Sequence, residues 1–425
     1  MYAVILAILL FVLTYLLLLA FPQRRAWIAL GSGALFLLLG ILPEDKALAA
    51  VDFNVLLMIA GTMGLVSLFI DSRMPALLAD LILEHTPSVK WAVVALALFA
   101  GIVSAFIDNV ATVLMLAPVA LAVAEKLKIR PVSMIIAIAV SCNLQGAATL
   151  VGDTTSILLG GYAGLDFLDF FVFRGKPGIF WAVELGAVFS ALVLLWLFRK
   201  ENAPVRPGER TQVTDFVPSI LLGSTILLLI AASFIPDKPA ITNGVICMSL
   251  LAVGLVYTGV RQRSLAAVTK PLREIDLTTL GLLLGLFVVI GGITEAGVID
   301  ALASLLVKVS GSNLFFVYTL IVWASVLFSA FIDNIPYVTT MLPVVQGIAA
   351  MLGVDSTLLY FGLLTGSTLG GNLTPIGASA NITAIGILRR KGYTVTNRDF
   401  LRVGLPFTLT AVTAGYLFLW VVWGA

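Results

Sequence analysis

Two short stretches carry the residues best suited to chemistry. Ser104-Ala-Phe-Ile-Asp108-Asn109 recurs 225 positions later as Ser329-Ala-Phe-Ile-Asp333-Asn334. Each is followed by a threonine and a proline, Thr112 and Pro118 in the first, Thr339 and Pro343 in the second. Each lies in the middle of a long apolar run, 91–124 or 313–350. A carboxylate there, beside amide and hydroxyl oxygens, suits the reversible binding of H⁺ or Na⁺. Asp108, Asn109, Asp333 and Asn334 are the positions that would hold Na⁺. Asp and Asn are also favoured helix N-caps, and a cap and an ion ligand are compatible roles.

A second paired element is rich in glycine and polar side chains. It reads Ser141-Cys-Asn143-Leu-Gln-Gly146-Ala-Ala-Thr149-Leu-Val-Gly152-Asp153-Thr154-Thr155 in the first half of the chain. In the second half it reads Thr365-Gly-Ser-Thr-Leu-Gly-Gly371-Asn372-Leu-Thr374-Pro375-Ile-Gly377-Ala-Ser379-Ala-Asn381. Gly and Pro at this density stop an apolar helix. Unwound backbone inside a membrane is tolerated only against protein or a water-filled cavity. The helix that follows each break would aim its first N–H groups into that cavity, where they favour anionic or dipolar oxygen ligands. The substrate-binding candidates are therefore Asn109, Thr112, Asn143, Thr149, Thr154, Thr155, Asn334, Thr339, Asn372, Thr374, Ser379 and Asn381. The coupling-ion candidates are Asp108, Asp153 and Asp333.

The elements that must position these residues are membrane helices. Of 425 residues, 60% are hydrophobic and 11% charged, against about 25% charged in soluble domains. Mean hydropathy is +1.10. These values exclude a soluble enzyme, a disordered chain and a nucleic-acid binder. The apolar runs are continuous rather than alternating, which predicts helices and not a membrane barrel. Ten crossings are expected near 2–21, 26–42, 53–70, 132–165, 179–198, 216–235, 240–260, 277–294, 356–388 and 403–423. The runs 91–124 and 313–350 are too long for one straight crossing and too short for two with a loop, so each reads as a re-entrant hairpin with its Asp-Asn at the tip. The first run, Met1 to Ala20, lacks a basic start and a cleavage site and reads as a retained span.

Charge placement orients this map. It puts 20 of the 25 Lys and Arg on one side and leaves Lys46, Arg174, Lys176, Lys238 and Lys308 on the other. The positive-inside rule makes the rich side cytoplasmic and both termini external. Only Asp108, Asp153, Glu184 and Asp333 fall inside the expected spans, with no Lys or Arg. A buried ionisable group costs roughly 2.5–3.5 kcal/mol on insertion scales, so such groups are functional candidates. Glu184 lies near a span end and has no acidic counterpart, which favours an interfacial role. The loop 71–90 reads as a surface helix.

The repeat extends beyond the two tips. Gly146 to Gly152 aligns with Gly371 to Gly377, and Asp52 with Asp276. Each half holds five crossings and one hairpin, and an odd number inverts the second half. The predicted organisation is an inverted five-plus-five repeat of an all-α polytopic membrane protein, ten transmembrane helices plus two re-entrant hairpins, as in many secondary transporters. Residues 1–198 form the first repeat, 199–215 a cytoplasmic linker with Pro204, Pro207 and Gly208, and 216–425 the second repeat.

Other chemistry finds little footing. The chain has one histidine, His85, and two cysteines, Cys142 and Cys247, both in apolar runs. A disulfide framework or a thiolate metal site is not expected, and Cys142, beside the first break, fits a packing role. No phosphate-binding Gly-rich loop with Lys-Ser/Thr occurs, so energy comes from a gradient or from a separate ATPase subunit.

On these residues the chain resembles the ion transporter superfamily, in the branch of arsenite permeases (ArsB), the melanosomal P protein and NhaD-type sodium–proton antiporters. Asp108-Asn109 with Thr112 and Pro118, Gly152-Asp153-Thr154-Thr155, Asp333-Asn334-Ile-Pro336-Tyr337 and Asn372 to Asn381 carry the resemblance, which covers nearly the whole chain. It implies a scaffold domain that often forms a homodimer, a transport domain of hairpins and broken helices, and elevator-like alternating access. Related dicarboxylate carriers have Ser-Asn-Thr at their hairpin tips, where this chain has Asp before Asn.

The expected function is secondary active transport in the inner (plasma) membrane of a bacterium or archaeon. No cofactor is expected beyond Na⁺, and the partners are the lipid bilayer and a small-molecule or ion substrate. A carboxylate removed from water holds its proton more firmly, which suits H⁺ coupling. With no basic residue inside, a small oxyanion or neutral oxyacid such as arsenite fits better than a polyanion. The alternatives are a Na⁺/H⁺ antiporter of the NhaD type and a Na⁺-coupled di- or tricarboxylate carrier.

Overall fold

The computed structural model describes residues 2–127, 129–205, 210–311 and 313–424. Lys128, Arg206, Pro207 and Gly208, which enter the charge map and the linker above, lie outside them. The apolar runs become helices because backbone groups removed from water must bond within their own segment. The first half runs through α1 (Tyr2–Ala20), α2 (Arg25–Leu38), α3 (Glu44–Ala50), α4 (Phe53–Asp71), α5 (Met74–Glu84), α6 (Val89–Ser104), α7 (Asn109–Leu127), α8 (Val132–Gly146), α9 (Thr154–Ala163) and α10 (Ile179–Leu197). The second runs through α11 (Val217–Ala232), α12 (Thr242–Gln262), α13 (Leu265–Arg273), α14 (Leu277–Glu295), α15 (Val298–Ser310), α16 (Leu314–Ser329), α17 (Asn334–Leu352), α18 (Thr357–Gly370), α19 (Ser379–Arg390) and α20 (Asn397–Trp423). Each helix of one half thus has a counterpart ten places on.

Both Asp-Asn pairs lie at turns between helices and both glycine-rich runs are broken, as expected. Helices α6 and α7 are separated by residues 105–108, and α16 and α17 by 330–333, so the Asp-Asn pairs lie at the turns. The run 132–165 divides into α8 and α9, and 356–388 into α18 and α19. The surface helix expected in 71–90 is α5. Among the described residues, six helices are long and apolar enough to cross a membrane alone, and up to eight spans result when two sharply bent helix pairs are each counted as one. This is fewer than the ten expected, because α11 and the arms of the broken crossings are each short, and the six include α17, expected as a hairpin arm. The spans expected at 2–21 and 26–42 are α1 and α2, joined by a 113° bend.

The fold is all-α as expected, and its helices are joined at one place by a short two-stranded ribbon in which β1 (Val172–Phe173) pairs antiparallel with β2 (Lys176–Pro177). Arg174 and Gly175 between them both have positive φ, the geometry of a tight hairpin turn whose twist matches its strands.

The halves interleave. Helix α4 packs along α12, α2 along α14, and α10 along α20, while α6 lies on α8 and α16 on α18. Small residues allow the close approach. Gly61 of α4 abuts the backbone of Cys247, and Gly285 of α14 that of Ala29. Ion pairs between loops respect the two-sided charge map. Lys270 pairs with Asp71, Arg210 with Glu84 and Arg261 with Asp215 among loops of the basic side. Lys46 pairs with Glu295, Arg174 with Asp355 and Lys238 with Asp166 among loops of the other. Hydrogen bonds from Arg210 hold the Glu84 carboxyl below its usual range. The linker is stitched to the base of the first hairpin, Val89 and Lys90 donating backbone N–H groups to Ala203 and Glu201 at 3.0 and 2.9 Å.

Candidate functional site

The two hairpin tips are built alike. The Ser104 hydroxyl donates to Asn109 Oδ1 at 2.6 Å, and Ser329 donates to Asn334 in the same way. Thr149 in the first break donates to the Ala105 carbonyl, and Thr374 in the second to the Ala330 carbonyl. Ser156 donates to the Gly146 carbonyl at 3.1 Å, and Asn381 Nδ2 to the Gly371 carbonyl at the same distance. Gly152 and Gly377 explain the glycine requirement. A Cβ on Gly152 would stand 2.6 Å from the Gly146 oxygen and 2.7 Å from that of Ala105, and one on Gly377 2.6 Å from Gly371 and 2.9 Å from Ala330. Each tip is thus bolted to the break of its own half.

The two breaks are also joined to each other. Asn143 Nδ2 donates to Asn372 Oδ1 at 2.8 Å and Asn381 Oδ1 at 3.1 Å, and Asn372 Nδ2 donates to the Val140 carbonyl at 2.8 Å. The hydroxyls of Thr155 and Thr368 meet at 3.1 Å. These groups are buried and satisfied, as polar groups at depth must be.

Three carboxylates stand at helix N-termini. Asp108 Oδ1 accepts from the N–H groups of Val110 and Ala111 at 3.0 and 3.1 Å. Asp153 caps α9 by accepting from the Thr154 N–H and the Thr155 hydroxyl, both at 2.8 Å. Asp333 caps α17 through the Ile335 N–H at 3.1 Å. The equivalent of Asp153 in the second half is Ala378, so α19 begins with no side-chain cap.

These termini converge on one cavity of about 400 Å³. Asp108, Asp153 and Asp333 all line it, with Asn109, Asn143, Thr154, Asn334 and Ser379. Six carboxylates and two basic side chains face it in all. The basic pair adds to the sequence reading, which put both residues in loops outside the expected spans and gave them no part in the site. Arg25, expected in a loop, begins α2 and forms an ion pair with Asp333 at the second tip. Lys270 is tied to Asp71 at 2.6 Å. Among the described residues Asp108, Asp153, Glu274 and Asp276 have no basic partner. Sequence reasoning noted Asp276 only as the repeat of Asp52, and that pairing was the signal that it mattered. Nothing in the spacing of Arg25 marked it, because the contact spans 308 positions.

The remaining candidates lie elsewhere. Thr112 is buried and donates to the Asp108 carbonyl at 3.0 Å. Thr149, Thr155, Asn372, Thr374 and Asn381 serve the interlock just described rather than lining the cavity. Thr339 lines a second cavity. Glu184 and Cys142 do not line the first cavity, and Cys142 is fully buried with its thiol toward the Ala100 carbonyl at 3.8 Å.

Comparison with known proteins agrees with this architecture. The model of the citrate transporter family, CitMHS, matches residues 8–366 and again 271–425. An uncharacterized transporter of Mycobacterium tuberculosis is 31% identical over 432 residues, 98% of each chain. The P protein of Homo sapiens is 26% identical over 473 residues, covering 92% of this chain and 56% of its own. Among solved structures, the YdaH transporter of Alcanivorax borkumensis superposes with a TM-score of 0.62 over 94% of this chain and 97% of its own, at 14% identity. MtrF of Neisseria gonorrhoeae, at the same identity, gives 0.57 over 96% and 84%. At that identity the likeness concerns the fold alone. The chain belongs to the citrate transporter family, within the superfamily its motifs resemble, and is a membrane transporter.

Proposed function

We propose that the protein is an H⁺-coupled (or Na⁺-coupled) secondary active transporter that moves a small oxyanion or neutral oxyacid, arsenite being the type, by elevator-like alternating access. Residues 1–198 and 216–425 act as inverted repeats joined by the linker 199–215. The observation that carries this reading is the meeting of Asp108, Asp153 and Asp333 at helix breaks in one cavity. Asp108 and Asp153 exchange the coupling ion, since Asp333 is engaged by Arg25. The first N–H groups of α19, beside Ser379, receive the solute's oxygens, because a helix N-terminus without a capping carboxylate favours them. Asn109, Asn143, Asn334 and Thr154 orient the solute from the cavity wall. The excess of carboxylates disfavours a bare polyanion.

Two rivals each have an observation behind them. The family description and the nearness of Arg25 favour a di- or tricarboxylate carrier. The four carboxylates without basic partners favour a Na⁺/H⁺ antiporter. Proteoliposomes with a pH-sensitive dye inside separate the three. Proton movement should follow addition of arsenite and stay absent with NaCl or citrate alone. A dye response to NaCl without other solute establishes the antiporter, and uptake of labelled citrate driven by a Na⁺ gradient establishes the carboxylate carrier.

A further inference from the structure

The two hairpin tips repeat each other in their protein contacts except at one atom. In each, one carboxylate oxygen caps the helix that follows: Asp108 Oδ1 accepts from the N–H groups of Val110 and Ala111, and Asp333 Oδ1 from that of Ile335. In each, a serine hydroxyl donates to the neighbouring asparagine, Asn109 or Asn334. The remaining carboxylate oxygen tells the tips apart. Asp333 Oδ2 pairs with the Arg25 guanidinium, whereas Asp108 Oδ2 takes no hydrogen bond or ion pair among the described residues.

The difference is built into the helices that flank the tips. Arg25 is the first residue of α2, just past the 113° bend that ends α1. Close contacts seat α2 on α14, where Gly285 abuts the Ala29 backbone and Gly281 lies against Ala26. The repeat of this seat is α12 on α4, where Gly61 abuts Cys247 and Leu57 lies against Gly244. In that register Ala26 matches Gly244, so Arg25 matches Asn243, a buried residue without charge. The repeat thus supplies a carboxylate at both tips and a cation for only one. A guanidinium stays protonated at any working pH. At Asp333 it neutralises the carboxylate as a proton or Na⁺ would, but it cannot leave for solution. We propose that Arg25 is a tethered substitute for the cation of the second tip, so that of two equivalent tips only the first, at Asp108, takes its cation from solution. The tips then carry one coupling ion in each cycle instead of two. This proposal rests on the reading that the tip carboxylates serve ion coupling, and it holds for H⁺ and Na⁺ alike.

The test uses the full chain in detergent and dicyclohexylcarbodiimide, which adds to a protonated carboxyl group and leaves a carboxylate neutralised by Na⁺ or a guanidinium unmodified. Labelling of each aspartate is read by mass spectrometry of its peptide, at one slightly acid pH, in equal concentrations of choline chloride, NaCl or guanidinium chloride. In the wild type, Asp108 in choline chloride should be labelled at least tenfold more than Asp333. In Arg25→Ala, Asp333 should rise to within threefold of Asp108 and should follow it in NaCl, both tips being protected or neither. Guanidinium chloride, which fits the space left by the side chain, should then lower Asp333 labelling at least threefold and leave Asp108 unchanged. Arg25→Ser stands in if Arg25→Ala fails to accumulate. Equal labelling of the tips in the wild type, an Asp333 signal unmoved by removal of Arg25, tips that answer NaCl differently in the variant, or no protection by guanidinium overturns the proposal. A wild-type chain labelled at neither tip in any salt would bring down the coupling reading along with it, whereas the other outcomes strike only the role of Arg25.

Discussion

At the residue scale, the carboxylates divide by their partners. Asp108 and Asp153 accept only from N–H and hydroxyl donors of their own helix starts, whereas Asp333 also meets Arg25. Substituting Asn at Asp108 or Asp153 keeps shape and removes the titrating group. We expect each variant to lose at least tenfold in gradient-driven flux while its melting temperature in detergent stays within a few degrees. Wild-type flux in both would remove them from the coupling role. Asp333→Asn should behave differently, since it strands a half-buried guanidinium. A pair of this exposure contributes about 1 kcal/mol or less, so its loss should lower the melting temperature slightly. Arg25→Gln in the same chain should return the lost stability without returning flux, as a double-mutant cycle reads coupling between neighbours. Additive losses in that cycle would show that the pair contributes nothing.

At the scale of elements, the interlock between tip and break decides whether the site keeps its shape. Gly152→Ala and Gly377→Ala force a methyl against backbone oxygens that cannot step aside. Overpacking of this kind costs typically 1–3 kcal/mol, and each substitution should lower thermal stability and flux together. Retention of both would mean that the backbone relaxes there freely. Asn143→Ala leaves the Asn372 and Asn381 side-chain oxygens without their shared donor. An unsatisfied buried group costs roughly 1–3 kcal/mol, and a lowered unfolding midpoint is the expected readout. The sequence showed the tips and breaks because Gly, Pro and Asp stand out in apolar runs and recur at a fixed offset. It did not show that Thr149 and Thr374 point at the hairpins, since a hydroxyl beside a helix break reads equally well as a ligand. Nor did it show α3 and α13, which are short and carry Lys46 and Lys270, or Arg25, whose partner is remote in sequence. Hydropathy finds segments, whereas contacts between segments depend on packing that no local pattern encodes.

At the scale of the whole molecule, α2 lies on α14, α4 on α12 and α10 on α20, and the asparagine network joins the two breaks. Neither half therefore owns a complete interior. A fragment ending at 205 would present to lipid the glycine-lined grooves that its partner fills, together with Asn143 and Thr155 stripped of their mates. Expressed alone, either fragment should be cleared by membrane proteases. Produced together from two messages, the fragments should find each other and copurify, even with the covalent tether cut. A lone half that accumulates as a stable monodisperse species would contradict this. The tandem gene arrangement thus serves stoichiometry and speed of assembly more than final cohesion, and a split version of the protein offers a way to isotope-label one half while the other stays spectroscopically silent.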